Sequence, residues 1–385
     1  MTSTITARRL LSAKGVIDFP IVHLDDGYIK SISNREQAEL PVRDLSIHSF
    51  PDALLAPAYL DIHVHGAVGH DVMDVKPEAL SAIESFLASH GVGGFFPTTV
   101  SSPVESTLRA LDFLAQEIER GTYEGAVPLG IHLEGPFISS VKRGAHYADY
   151  ILQPSIPLFD RFWEAARGHI SLMTIAPELS NAVELIEYAT SKGIICSLGH
   201  SDATAQEAKA GCCAGARSAT HTFNAMRNLS NRELGVVECV LDEDALSAEI
   251  ICDGIHVDPA LVRLFFKAKG PDRSILVTDG AAPMGLPEGR HTIGNRKLEV
   301  KNGLCTSDGV LAGSICAMDR AVMNFSNFTE SDLPTSLRLA TMNPAKLMNL
   351  DNEWGLLEKG REANILALSS TGEIQQVFRA GRPLL

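Results

Sequence analysis

Short apolar runs that end on polar residues recur along the middle of the chain: "LDIHVHG", "GGFFPTTV", "LGIHLEGPF", "ISLMTIAPE", "IICSLGHSD", "SATHTFNAM", "AEIICDGIH" and "SILVTDG". Between them the spacing is helical. In "KPEALSAIESFLASHG", Leu80, Ile83 and Leu87 fall on one face, and Gly91 is placed to end the helix. "SSPVESTLRALDFLAQEIERG" opens with Ser102, Pro103 and Glu105, the spacing of a capping box with proline at the first helical position. "SNAVELIEYATSKG" and "DATAQEAKAGCCAG" repeat the habit. Strands that are almost continuously apolar and alternate with helices predict a parallel sheet covered on both faces. Eight of them predict a closed barrel.

The two ends read differently. "RRLLSAKGV", "GYIKSIS" and "LSIHSF" predict short strands at the front, and "EANILALSS" with "EIQQVFRAGRPLL" predicts a hairpin around "TG" at the back. Neither end is long enough to bury a core alone, so the two are expected to pack together. The fold class is therefore α/β: a (β/α)8 TIM-like barrel over residues 57–345, with a small β-sandwich domain formed by both chain termini, residues 1–56 and 346–385.

Composition narrows the function. The chain has 385 residues, is 45% hydrophobic and carries a formal net charge of −14, with no basic block to offset it. Nucleic-acid and membrane-surface partners are excluded on that ground. A phosphorylated small substrate is not, because exposed charges are screened beyond roughly 8 Å at physiological salt and a local cationic pocket suffices. The two arginines near the N-terminus precede no long apolar stretch, which argues against a secretory signal, and no run reaches the roughly 18 apolar residues of a membrane span. Seven cysteines without a C-x-x-C pair fit a reducing, cytoplasmic setting better than a disulfide frame or a zinc knuckle.

The ionisable residues gather at the ends of the expected strands, where a barrel of this kind carries its chemistry. Strand one ends on His63 and His65, strand three on Glu134, strand five on His200 and strand six on His221. Strand seven is followed by Asp253 and His256, and strand eight by Asp279. Residues i and i+2 of a strand face one way, so His63 and His65 point at one spot. An H-x-H pair alone is a weak signal, and Glu134, His200 or His221 taken singly reads as an ordinary core or capping residue. His63, His65, Glu134, His200, His221 and Asp279 together at strand ends predict the N and O ligands of a hydrolytic Zn²⁺ or Fe²⁺ site, holding one ion or two. No G-x-S-x-G elbow or phosphate-binding P-loop competes with that reading, and the glycines of "GVGGFF" precede a strand where a dinucleotide fingerprint would follow one. Cys196, four positions before His200, reads as barrel packing.

On "LDIHVHG", "HLEGPF", "GHSDAT", "HTFNAM", "DGIHVDP", "VTDG", "LAGS" and the terminal "GLLEKGREANILAL", the chain resembles the amidohydrolase superfamily over nearly its whole length. The tandem of "HLEGPF", "GHSDAT" and "HTFNAM" resembles the branch that deacetylates amino-sugar phosphates. The resemblance implies Glu134, His200 and His221 around a main metal. It implies a second position completed by His63 and His65, with Glu134 bridging and Asp279 on the other side. Zn²⁺ is the first expectation, with Fe, Mn or Co as alternatives. Strand four lacks the lysine that relatives such as dihydroorotase carboxylate to bridge two metals.

The resemblance further implies substrate contacts from His256, from the backbone at Asn224 and Ala225, and from Arg232, supplied by the neighbouring subunit of a homodimer. It also implies contact between His146 and an acetyl carbonyl. The implied reaction is hydrolysis of N-acetylglucosamine-6-phosphate to glucosamine-6-phosphate and acetate, with Asp279 shuttling the proton and Arg143 assisting at the phosphate. The alternatives are the galactosamine epimer, another N-acetyl compound, or a barrel scaffold that has lost the chemistry. A scaffold is expected to have lost ligands or the shuttling aspartate, and none is missing here.

Overall fold

The computed structural model describes residues 2–34, 46–121, 125–293 and 296–384. All eight expected runs form strands: β1 (Tyr59–Val64), β2 (Val92–Pro97), β3 (Ile131–Glu134), β4 (Ile170–Ile175), β5 (Ile195–Leu198), β6 (Ser218–Ala219), β7 (Ser247–Ile251) and β8 (Ser274–Val277). β1 and β2 pair in parallel, and β3 to β8 pair in parallel in chain order. Parallel bridges from Thr98 to His132 and from Val64 to Gly280 link the two sheets at both seams. Each strand is followed by a helix: α1 (Pro77–Ser89), α2 (Val104–Arg120), α3 (Ile156–Ala165), α4 (Ala182–Ser191), α5 (Ala205–Cys213), α6 (Val236–Asp242), α7 (Pro259–Arg273) and α8 (Met318–Thr329). The parallel pairing requires those crossovers, and the helices cover the strands so that every residue of β1, β2 and β3 is buried.

Two helix starts show how local chemistry sets the boundary. α5 begins where Thr204 Oγ1 accepts the Glu207 N–H and the Glu207 carboxylate accepts the Thr204 N–H, a full capping box. The box expected at α2 does not form. Pro103 is itself the N-cap, at φ −50° and ψ 136°, so the helix starts one residue later and Glu105 falls out of reach of the cap position. At the other end of α1, Gly91 takes φ +81° as the sequence implied.

The termini meet in one eight-stranded sheet. Thr2–Ser12 pairs in parallel with Ser46–Pro57, and Ser46–Pro57 pairs antiparallel with Ile365–Leu368, which brings the two ends of the chain together. Leu45, the first residue of one expected strand, lies outside the described residues. Ile5, Leu10, Val22, Leu55, Ile365 and Phe378 form a core separate from that of the eight parallel strands. The sandwich expectation implied two stacked sheets. Hydrogen bonding instead joins all eight terminal strands, because Thr2–Ser12 is paired along both of its edges.

One element was not anticipated. Between β8 and α8 the chain forms a four-stranded antiparallel sheet, β9 (Gly289–Ile293), β10 (Arg296–Lys301), β11 (Leu304–Ser307) and β12 (Val310–Leu311). Its signal lies in the dipeptides Asn302-Gly303 and Asp308-Gly309. All four residues have positive φ (52°, 77°, 49° and 79°), as two-residue hairpin turns require.

Away from the strand ends, α1 buries the carboxylate of Glu84, and its Oε1 has no partner among the described residues. Burial pushes this carboxyl up from 4.5 to about 7, with Arg120 pulling down and Glu117 pushing up. The folded state then binds the proton more tightly than the unfolded chain. Stability therefore falls as pH rises through that window and levels off above it. Glu84→Gln removes the penalty. It is expected to stabilise the protein by about 2 kcal/mol at pH 8 and by little at pH 4.5, read from urea unfolding at both pH values.

Candidate metal centre

Alternation along β1 puts Asp61, His63 and, just past the strand, His65 on one face. Glu134 is the last residue of β3. His200, His221 and Asp279 each lie two residues beyond the end of β5, β6 and β8, in the left-handed region at φ 46°, 29° and 46°. Non-glycine residues held there cost roughly 1–3 kcal/mol each, and such strain persists only where surrounding structure imposes it. The turn aims the three side chains back toward β1.

The six groups converge. Glu134 Oε1 lies 3.2 Å from both His200 Nε2 and His221 Nε2, and 3.4 Å from His63 Nε2. Glu134 Oε2 lies 3.3 Å from His65 Nε2. Asp279 Oδ1 is 3.2 Å from His65 Nε2 and 3.5 Å from His63 Nε2. Two sets of donors result, His63 with His65 and Asp279, and Glu134 with His200 and His221, every member buried. Glu134 sits between the sets.

These residues fit a cation. The outer ring nitrogens of three histidines are already engaged: His63 Nδ1 with Glu249 Oε2 (3.1 Å), His65 Nδ1 with the Thr98 carbonyl (3.0 Å) and His200 Nδ1 with the Lys142 carbonyl (2.9 Å). Donation from Nδ1 to an oxygen leaves Nε2 with its lone pair turned inward, the usual orientation of metal-bound histidine. His63 Nε2 and His65 Nε2 then face each other at 3.2 Å, and His200 Nε2 faces His221 Nε2 at 3.1 Å. Protons or a metal ion must fill that space, and Glu134 Oε1 is buried with no hydrogen-bond donor among the described residues. Burial works against protonating His63 and His65, but Glu134 and Asp279 outweigh it, holding His63 well above ordinary imidazole and His65 at about 9. Burial likewise opposes ionising Asp279, yet His63 and His65 bring it down to about 2. A metal displaces these protons to bind, so its hold should strengthen as pH rises.

The other expected site residues divide. His146 is buried with Nε2 3.3 Å from Glu134 Oε2, while its Nδ1 accepts the Ser101 N–H at 3.1 Å. That bond puts the ring proton on Nε2, facing the centre. Burial lowers the His146 pKa to about 4 against the pull of Glu134, so it stays a neutral donor at pH 7. His256 is tied to Asp253 at 2.7 Å and lines the same cavity. Burial opposes its protonation, but Asp253 raises its pKa. Asn224 and Ala225 also line the cavity, although the Asn224 N–H is already donated to the His221 carbonyl at 3.0 Å. Arg232 and Arg143 are exposed, outside the cavity lining of this chain, and Arg143 Nη1 donates to the His146 carbonyl at 2.7 Å. Cys196 is packed in the core, as the sequence implied, and burial pushes its thiol up to about 12.

Sequence reasoning missed two contributors. Glu249, in the middle of β7, hid inside an apolar run. Ile293, Leu298, Val310 and Leu311 of the unanticipated sheet, with Ala312 just after it, wall one side of the cavity, which encloses about 350 Å³.

Comparison with known proteins agrees with this geometry. Over 383 residues the chain is 34% identical to the N-acetylgalactosamine-6-phosphate deacetylase of Escherichia coli O157:H7, a match spanning 99% of each chain. The N-acetylglucosamine-6-phosphate deacetylase of Bacillus subtilis (strain 168) is 33% identical over 369 residues, 95% of this chain and 92% of that one. A mutant N-acetyl-D-glucosamine-6-phosphate deacetylase of Mycobacterium smegmatis, solved in complex with N-acetyl-D-glucosamine-6-phosphate, superposes with a TM-score of 0.92. It is 26% identical and matches over 100% of this chain and 99% of its own. The N-acetylglucosamine-6-phosphate deacetylase of Pasteurella multocida gives a TM-score of 0.92 at 29% identity with the same coverage. Residues 54–384, which carry all six strand-end residues described above, match the Amidohydrolase family. The chain belongs to the amidohydrolase family and is a metal-dependent hydrolase.

Proposed function

We propose that this chain hydrolyses the N-acetyl group of N-acetylglucosamine-6-phosphate, releasing acetate and leaving glucosamine-6-phosphate. The observation that carries this reading is a pair of buried ligand sets sharing Glu134 at the floor of a sugar-sized cavity, with a neutral histidine N–H beside them. The galactosamine epimer is the second reading, favoured by the Escherichia coli relative that matches this chain end to end.

The scaffold in this reading is a closed (β/α)8 barrel over residues 57–345, supported by the bridges at both seams, with residues 1–56 and 346–385 as the small β domain. His63, His65, Glu134, His200, His221 and Asp279 would hold one ion or two, Zn²⁺ first and Fe, Mn or Co as alternatives. Such an ion supplies Lewis acidity, lowering the pKa of water and polarising a carbonyl. Asp279 takes the proton of the attacking water and returns it to the departing amine, since it reaches the centre through Oδ1 and is held ionised. The His146 Nε2–H donates to the carbonyl oxygen as it gains charge, a contact worth about 3–4 kcal/mol where one such donor has been removed from other enzymes.

The phosphate binds at the far end, and that remote binding energy orients the amide. His256, raised toward its charged form by Asp253, faces it together with the Asn224–Ala225 segment. Arg232 reaches it from the neighbouring subunit of a homodimer, which its exposed position on this chain permits. A cytoplasmic setting is part of this reading, supported by seven free cysteines with no C-x-x-C pair. No helix among the described residues is long and apolar enough to cross a membrane.

Arg232→Ala is expected to raise KM about tenfold for the phosphorylated sugar while changing kcat less than twofold, the size of one lost hydrogen bond to a charged group. The same enzyme assayed on N-acetylglucosamine and on both 6-phosphates tests the assignment. A strong preference for one phosphorylated epimer supports it, and equal rates with and without phosphate would remove the anion pocket.

A further inference from the structure

The interior of the parallel strands holds a carboxylate that the reaction does not use. Glu249 lies in the middle of β7 and is fully buried. Its Oε2 is 3.1 Å from His63 Nδ1 and also accepts the backbone N–H of His221 at 3.1 Å. Its backbone carbonyl accepts the Thr222 N–H at 2.8 Å. One residue therefore grips both donor sets. It fixes the ring orientation of His63 in the first, and in the second it clamps the strained segment that turns His221 inward at φ 29°. Its other oxygen, Oε1, has no partner among the described residues, and no lysine or arginine forms an ion pair with the group there.

A buried carboxylate with one half-satisfied end is costly unless a positive charge lies close by. His63 links it to the space into which the six side chains converge, its Nδ1 on Glu249 and its Nε2 facing Glu134 and Asp279. Glu134 touches both sets from the cavity side, while Glu249 touches both from behind.

We infer that Glu249 is a positioning residue for the metal centre, setting the affinity of both donor sets by holding His63 and His221 from one carboxylate oxygen. This rests on the centre being a metal site, as proposed above. Carboxylates that orient a metal-bound histidine change metal affinity or activity by about 10–100-fold when removed. Glutamine at this position keeps an acceptor for both N–H groups but loses the charge, whereas alanine loses both.

The test is Co²⁺ binding to the metal-stripped full chain, followed by titration and by the visible spectrum of the bound ion, for wild type, Glu249→Gln, Glu249→Ala and Glu84→Gln. Glu84 supplies the control, being a buried carboxylate outside the centre with an unpartnered oxygen of its own. The inference expects Glu249→Ala to weaken Co²⁺ binding by tenfold or more and to shift its spectrum, Glu249→Gln to fall between Ala and wild type, and Glu84→Gln to match wild type. If Glu249→Ala does not fold, Glu249→Gln decides by the same two readouts. Wild-type affinity and an unchanged spectrum in a folded Glu249 variant would overturn the positioning role alone. A wild-type chain that binds no Co²⁺ would overturn the metal reading and this inference with it.

Discussion

Glu134→Gln is expected to abolish turnover, with kcat/KM falling by at least about 10³, because the change removes several kcal/mol of charge stabilisation from the centre. The reason is geometric. One carboxylate oxygen faces the Nε2 atoms of His200, His221 and His63 at 3.2, 3.2 and 3.4 Å, and the other faces His65 and His146 at 3.3 Å. Glutamine offers one oxygen and an amide that competes with the imidazoles as a donor. Metal retained per chain should drop in parallel, measured by elemental analysis after dialysis. A variant that keeps its metal and its rate would remove Glu134 from the centre.

Asp279→Asn should separate metal binding from proton transfer. Asparagine keeps the shape and an oxygen that can ligate, but it cannot accept a proton at neutral pH. A positioned general acid–base group contributes typically 10²–10⁴-fold, so kcat should fall by about that factor with metal content close to wild type. The structure gives Asp279 the right starting state, since His63 and His65 outweigh burial and keep it ionised down to about pH 2. Near-normal turnover with metal in place would show that another group moves the proton.

The strand-end residues of the candidate centre were legible because strand geometry is simple. Apolar runs marked where each strand lies, and polar residues marked where it ends. His63, His65, Glu134, His200, His221 and Asp279 therefore fell into place without knowledge of any loop. Glu249 was hidden by the same rule, since a single carboxylate within a continuous apolar run carries no positional signal until the opposite strand is in view. The four-stranded sheet after β8 was written in its Asn-Gly and Asp-Gly turns. Within it β10 alternates strictly, with Leu298 and Val300 buried between exposed Lys297, Glu299 and Lys301, but β9 and β12 are largely exposed, so the alternation stops at a single strand. Ser102 misled because Pro103 can stand just outside a helix as well as just inside it. Arg232 lies exposed and outside this chain's cavity lining, so the sequence expectation for it rests on the family resemblance alone.

The most direct measurement is acetate release from N-acetylglucosamine-6-phosphate by the purified protein as isolated, after removal of metal by a chelator, and after adding back Zn²⁺. Turnover is expected to be lost on chelation and restored by the metal, with a level of metal per chain matching one or two ions. Undiminished turnover by metal-stripped protein, or no acetate release after reloading, would contradict a metal-dependent deacetylase of this substrate.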